Sequence, residues 1–185
     1  MQEKIAIRKK AFINRKNKYF DVSYNFFDPL IKLLNKKKAN KKINLSLYYP
    51  VAYEVNILKF FDLNKVNQIK TLLPVIKSKK KMNFVEWQIL DPLKVNVFGM
   101  LDPCLQTQSL IPNVMIIPLL AFDKHNNRLG YGKGFYDSYL NKLLKNKKKI
   151  ITIGVAFSFQ KYNKLPTSKL DIKLDYILTE KGLQK

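Results

Sequence analysis

The stretch NVMIIPLLAFDKHNNRLGYGKGFYDSYLNKLLK, residues 113–145, passes from an apolar run through a polar loop and a glycine cluster into an amphipathic pattern. Its first part, NVMIIPLLAF (113–122), reads as one strand buried on both faces, because polar residues do not alternate with the apolar ones. YDSYLNKLLK (136–145) carries its apolar residues at helical spacing and predicts an amphipathic helix. Downstream, IITIGVAF (150–157) and LDYILT (174–179) are two more near-continuous apolar strands. Apolar strands alternating with helices predict an α/β fold, a mostly parallel central sheet covered by helices on both faces.

The rest of the chain extends this pattern. Residues 1–20 carry Ile5, Ile7, Phe12, Ile13, Tyr19 and Phe20 among lysines, a helical pattern ending before Asp21. DPLIKLLN (28–35) predicts a second helix with Asp28 as N-cap and Pro29 at its first position. INLSLYYP (43–50), TLLPVIK (71–77) and MNFVEWQI (82–89) predict strands, and EVNILKFF (54–61) a helix with Glu54 in its first turn. No repeat, linker or composition shift divides the chain, so residues 1–185 are expected to form a single domain.

Composition narrows the function classes. A lone Cys104 allows no internal disulfide, no His/Cys cluster suggests zinc, and no apolar run approaches the roughly 20 residues of a membrane span. The N-terminus lacks the apolar core of a secretory signal, so a cytoplasmic location without membrane association is expected. A formal net charge of +22 would suit nucleic acid. Against that, only Arg8, Arg15 and Arg128 are arginine, and the many lysines are scattered, as an AT-rich coding bias would leave them. A solvated basic surface with no specific nucleic-acid partner is the expectation, and a basic nucleic-acid-binding module the alternative.

The glycine stretch carries the chemistry. Three of the chain's six glycines, Gly130, Gly132 and Gly134, alternate within RLGYGKGFYD (128–137). On the expected scaffold they lie between a strand and a helix N-terminus, where an open α/β sheet binds anions. Alternating glycines allow positive φ and turn successive amides toward one point. Lys133 and Arg128 add charge, and Asp137 is a hard-oxygen candidate for Mg²⁺. Neither common phosphate signature fits, since no G-x-x-x-x-G-K-[ST] occurs and Phe135 stands where G-x-G-x-x-G needs its last glycine. On spacing alone, a tight structural turn with Asp137 as an ordinary helix-start carboxylate stays open.

The longer string PLLAFDKHNNRLGYGKGFYDSYL (118–140) closely resembles the signature of the 5-formyltetrahydrofolate cyclo-ligase family. KIAIR (4–8) resembles that family's N-terminal K-x-x-x-R, and EVN (54–56) its E-V-[DN] segment. The central LPVIKSKKKMNFVEW and FGMLDP, and the C-terminal GVAFSFQ and LDYILTE, continue the likeness over nearly the whole chain. The resemblance implies a Rossmann-like sheet similar to the sugar-phosphate isomerase and CoA-transferase type. It implies a monomer that uses ATP as co-substrate and Mg²⁺ as cofactor to convert 5-formyltetrahydrofolate into 5,10-methenyltetrahydrofolate, releasing ADP and phosphate after phosphorylation of the formyl oxygen. An isomerase- or transferase-like enzyme that holds phosphate without nucleotide is the rival reading.

Carried over by position, the resemblance assigns Lys4, Arg8, Arg128, Leu129, Gly130, Tyr131, Gly132, Lys133, Gly134, Phe135 and Tyr136 to ATP. It assigns Glu54, with Tyr131, Gly132, Lys133, Gly134 and Phe135, to the folate. Lys133 and Tyr136 would act in catalysis, and Asp137 and Asp171 would bind Mg²⁺. Lys169 and Leu170 stand where many relatives have an acidic residue and a histidine or asparagine. Asp123 is expected to bond backbone amides in its turn. His125 is expected to be a solvated loop side chain, Cys104 an inert thiol, and Met82, Phe84, Trp87, Tyr48 and Tyr49 to pack.

Overall fold

The computed structural model describes residues 2–38, 42–63, 69–78, 81–104 and 108–185. In chain order the elements are α1 (Gln2–Lys18), a 3₁₀ turn (Tyr24–Phe27), α2 (Asp28–Lys38), β1 (Ile43–Ser46), a second 3₁₀ turn (Ile57–Leu63), β2 (Ile69–Ser78) and β3 (Lys81–Glu86). The hairpin β4 (Leu93–Val95) and β5 (Leu101–Pro103) follows, then β6 (Val114–Pro118), β7 (Ala121–Asp123), β8 (Arg128–Leu129) and α3 (Phe135–Lys145). The chain ends with β9 (Ile151–Val155), a 3₁₀ turn (Ser158–Gln160), β10 (Lys161–Tyr162), β11 (Tyr176–Thr179) and β12 (Gly182–Gln184).

Seven strands form the main sheet in the order β12-β11-β9-β6-β1-β2-β3. The five inner strands run parallel, and β12 and β3 close the edges antiparallel. This is the expected α/β architecture with a mostly parallel sheet. Strand β6 shows why it forms. With side chains alternating at period two, Val114 and Ile116 join one apolar layer with Phe27, Leu30 and Leu34, while Met115 and Ile117 join another with Leu140 of α3. A strand apolar on both faces is stable only where helices cover both. Met82 and Phe84 belong to the second layer, and Trp87 and Tyr48 to the first, with Tyr49 packed against it.

Several expectations need correcting. The apolar run 113–122 is not one strand: β6 stops at Pro118, and β7 joins β10 and β8 in a separate three-stranded sheet. Pro118 is the last residue in register, opposite Val155, and brings no N–H of its own to the ladder. The carbonyls of Leu119 and Leu120 are thereby freed, and buried carbonyls need donors. Gln160 Nε2 donates to both at 3.0 Å, and Arg15 Nη1 donates to Leu119 O at 3.1 Å. Helix α1 packs on this small sheet through Ala11, with Ile7 and Phe12 beside Leu120, Ala121 and Leu129.

Glu54 does not begin a helix. Ala52 and Tyr53 hold φ of 50° and 65°, a left-handed pair that no helix can start through, and helical turns begin only at Ile57. Asp28 is not an N-cap either, since the preceding 3₁₀ turn runs straight into α2 and Asp28 itself is helical. The strand expected over 43–50 ends at Ser46, and that over 82–89 ends at Glu86. The β4/β5 hairpin, the small sheet and β12 lack strong local signals and are seen only in the fold. Asp123 behaves as expected: its buried carboxylate accepts from the amides of His125, Asn127 and Leu165 and from the Asn127 side chain.

Candidate active site

The glycine loop follows the small sheet that leaves the carboxyl end of β6, and it enters α3 directly. Gly132 (φ 93°) and Gly134 (φ 71°) take the left-handed region, and Gly134 is the N-cap of α3. Gly132 has a second reason to lack a side chain, because a Cβ there would lie 3.0 Å from Cζ of Arg8. Arg8 Nε donates to Gly130 O at 2.8 Å, so the guanidinium is held against the loop at Gly130 and Gly132. Among the described residues, none accepts a hydrogen bond from the amides of residues 130–134. These exposed donors stand just ahead of the helix N-terminus, a geometry suited to oxyanions.

Helix α1 supplies cations to this end of the molecule. Lys4, Arg8, Ala11 and Arg15 recur at steps of four, three and four and therefore share one face. Lys4 pairs with Asp171, which also accepts from Ser168 N at 2.7 Å. Burial would push the Asp171 carboxyl up, but the Lys4 and Ser168 hydrogen bonds hold it below the usual range. Asp137 Oδ1 lies 2.9 Å from Arg128 Nη2 and accepts from Ile172 N at 3.1 Å. Asn141 ties the backbone of α3 to Leu170 by donating to the carbonyls of Asp137 and Leu170. The segment around residues 170–172 is thus docked on the first turns of α3, which brings the two aspartates to the same end of the site.

Lys133 is exposed at the loop, its Nζ 5.2 Å from the centre of the Phe98 ring on the β4/β5 hairpin. Phe98 packs in turn on Phe135, at 5.7 Å between ring centres. Leu129 and Phe135 bury their side chains, so at those positions only backbone is offered outward. The Arg128 guanidinium lies 5.9 Å from the Tyr136 ring centre. Burial, and after it the charge of Glu54, pushes the Tyr136 hydroxyl well above its ordinary range, so it stays protonated at neutral pH and can donate but not act as a base.

Glu54 is only 6% exposed. Its Oε2 accepts from Val51 N at 3.0 Å and its Oε1 from the Tyr131 hydroxyl at 2.8 Å. Burial raises the carboxyl, while the Val51 and Tyr131 hydrogen bonds and the Arg15 charge pull it part of the way back. Arg15, 1% exposed, donates to the Tyr131 hydroxyl and to Ala52 O, the latter at 2.7 Å. Sequence reasoning missed Arg15, Gln160, Asn141 and Phe98. A signal for Arg15 existed: all three arginines of a chain with 35 basic residues meet at this loop.

Among the described residues no group of three or more His, Cys, Asp or Glu side chains forms a ready metal site. Asp137 and Asp171 nevertheless suit Mg²⁺, which commonly takes one or two protein carboxylates and completes its shell with phosphate oxygens and water. Among the described residues no helix is long and apolar enough to cross a membrane.

Comparison with known proteins shows the family and the fold. Residues 2–180 match the model of the 5-formyltetrahydrofolate cyclo-ligase family. A 5-formyltetrahydrofolate cyclo-ligase of Mycoplasma pneumoniae is 31% identical over 183 residues, 97% of this chain and 96% of the relative. One from Mycoplasma genitalium is 35% identical over 138 residues, covering 73% and 71% of the two chains. Among solved structures, the 5,10-methenyltetrahydrofolate synthetase of Aquifex aeolicus superposes with a TM-score of 0.73 at 27% identity, over 98% of this chain and 92% of that one. The synthetase of Mycoplasma pneumoniae gives 0.72 at 28% identity, over 95% and 98%.

Proposed function

Because the chain belongs to the 5-formyltetrahydrofolate cyclo-ligase family and is an enzyme of that kind, we propose that it closes 5-formyltetrahydrofolate to 5,10-methenyltetrahydrofolate at the expense of ATP, with Mg²⁺ as cofactor. The observation that carries this reading is the loop itself. Five successive amides without an acceptor among the described residues carry Lys133 in their midst, have Arg8 bonded to the Gly130 carbonyl and follow Arg128 closely, and the same loop reaches Glu54 through the Tyr131 hydroxyl.

In the proposed reaction the formyl oxygen attacks the γ-phosphorus and ADP departs. The neighbouring amine nitrogen then attacks the activated carbon, the C–O bond breaks, phosphate leaves and the amine proton is lost to solvent. This chemistry asks for alignment and charge stabilisation more than for a strong base. The amides of residues 130–134, with Lys4 and Arg8, would hold the phosphates. Lys133 would neutralise charge gathering on the transferred phosphoryl group, and the Tyr136 hydroxyl would donate to it. Asp137 and Asp171 would hold the Mg²⁺, whose chemistry is to neutralise phosphate charge. Lys4 and Arg128, now paired with those two carboxylates, would then turn to phosphate oxygens. Glu54, fixed by Val51 and Tyr131, would accept from pterin N–H groups.

The test is a turnover assay with 5-formyltetrahydrofolate and ATP, following methenyl-folate absorbance and phosphate release together. One phosphate per methenyl group is expected, with no product when ATP or Mg²⁺ is left out. Methenyl-folate formed without ATP would overturn the ATP-dependent reading.

A further inference from the structure

The family resemblance and the motifs point to Glu54 and to the glycine loop, but not to what joins them. That joint is Arg15. Its guanidinium donates simultaneously to Leu119 O at the end of β6, to Ala52 O at 2.7 Å and to the Tyr131 hydroxyl, while Tyr131 donates to Glu54. The Arg15 side chain is buried, its guanidinium carbon lies 5.5 Å from the Tyr131 ring centre, and its Nε has no hydrogen-bond partner. A buried cation spanning three segments is a costly choice unless its geometry is needed.

The contact to Ala52 explains part of that need. Ala52 and Tyr53 hold positive φ, which is unfavourable for non-glycine residues and persists only where the surroundings enforce it. Arg15 clamps the carbonyl at the middle of this turn. The turn in turn aims Glu54, whose carboxylate is bonded back to Val51 N. The contact to Tyr131 explains the rest, because Tyr131 lies between Gly130 and Gly132 in the loop itself. Lysine could not replace this fork, since a single ammonium cannot reach three acceptors in planar array.

We infer that Arg15 is a positioning residue that couples the two halves of the site: through Tyr131 and the Ala52 turn it makes the placement of Glu54 depend on the placement of the glycine loop. Ordering of the loop by a triphosphate therefore tightens the grip of Glu54 on the folate, and folate tightens the grip of the loop on the triphosphate by the same factor. The inference rests on the reading that Glu54 meets the folate and the loop meets ATP.

The experiment is a binding measurement. The dissociation constant of 5-formyltetrahydrofolate is titrated with and without a non-hydrolysable ATP analogue plus Mg²⁺, for wild type, Tyr131→Phe, Arg15→Lys and Glu54→Gln. Wild type is expected to bind folate about 5- to 150-fold more tightly with the analogue present, the usual range of such coupling. Tyr131→Phe keeps the ring of a residue that is 41% exposed and loses only the hydroxyl, so it is expected to fold and to lose most of the enhancement. Arg15→Lys is expected to do the same with a lower melting temperature. A purely structural role for Arg15 would lower the melting temperature and leave the enhancement intact. Absence of enhancement in wild type, or full enhancement in Tyr131→Phe, would overturn the coupling whether or not Arg15→Lys folds. Glu54→Gln separates the premise from the inference: if it leaves folate affinity unchanged without the analogue, the folate role of Glu54 fails on its own.

Discussion

Lys133 and Asp137 stand four residues apart at the junction of loop and helix, and their surroundings assign them different tasks. Lys133 is exposed and rests on Phe98, with no carboxylate among its described contacts, so its charge is free to serve a ligand. Lys133→Ala is expected to lower kcat by about a hundredfold, the effect of deleting one charge-stabilising donor. Its melting temperature should stay near wild type, because surface substitutions rarely move stability by more than about 0.5 kcal/mol. Asp137 instead faces Arg128, whose side chain is 5% exposed, and is itself 24% exposed. Asp137→Asn keeps an acceptor for Ile172 N but removes the charge that a divalent cation needs. The Mg²⁺ concentration for half-maximal rate is expected to rise several-fold in a metal titration, with some loss of stability from the uncompensated guanidinium. Unchanged kinetics in both variants would remove the loop from the reaction. At this scale the sequence was most legible where chemistry is tied to a rare residue type: glycines in a glycine-poor chain marked the loop. Arg15 was harder to see: its rarity as an arginine was a signal, but two of its three partners, Ala52 O and Leu119 O, are backbone atoms that no pattern of side chains announces, and the third, the Tyr131 hydroxyl, lies 116 residues away.

The elements were legible where periodicity alone decides them and illegible where a tertiary partner does. Helix α3 and strand β9 follow from their own apolar spacing. The break after Pro118 does not, because it depends on Gln160 and Arg15 arriving from distant segments to satisfy the freed carbonyls. The β7–β8 connection that follows depends on Asp123, buried within the small sheet and bonded to amides from its own turn and from Leu165. Burial alone would raise this carboxyl, but the hydrogen bonds from Asn127, Leu165 and His125 hold it below the usual range. A depressed folded pKa stabilises the fold at pH values above the unfolded value, about 3.9, and that contribution is lost as pH falls through the folded value. Asp171, also depressed, acts in the same direction, whereas Glu54, raised by burial, acts in the opposite one. Urea unfolding between pH 7 and pH 3 is therefore expected to show stability dropping below about pH 4. Asp123→Asn should be less stable at pH 7 by roughly 1–3 kcal/mol, the cost of poorly satisfied buried amides, and should show a flatter acid limb. An acid limb as steep as wild type would mean that other carboxylates govern it.

For the whole molecule the dominant fact is a formal net charge of +22, from 35 basic and 13 acidic residues. Among the described residues there are four ion pairs, and two of them, Lys4–Asp171 and Arg128–Asp137, lie at the site. Most lysines are therefore solvated and repel one another, which destabilises a compact state and is relieved by salt. The Debye length falls from about 30 Å at 0.01 M to about 8 Å at 0.15 M, short enough to screen the repulsion between lysines of separate segments. The melting temperature of the ligand-free protein is accordingly expected to rise with KCl over that range. The same screening should weaken the attraction of Lys4, Arg8, Arg128 and Lys133 for a triphosphate, so the affinity for the non-hydrolysable ATP analogue is expected to fall over the range in which stability rises. The opposite signs matter, because one cause, charge that the fold leaves unpaired, produces both: a melting temperature that fell with salt would show instead that the ion pairs outweigh the repulsion. In that case the basic surface would be a structural network rather than a solvated one that steers anions toward the loop.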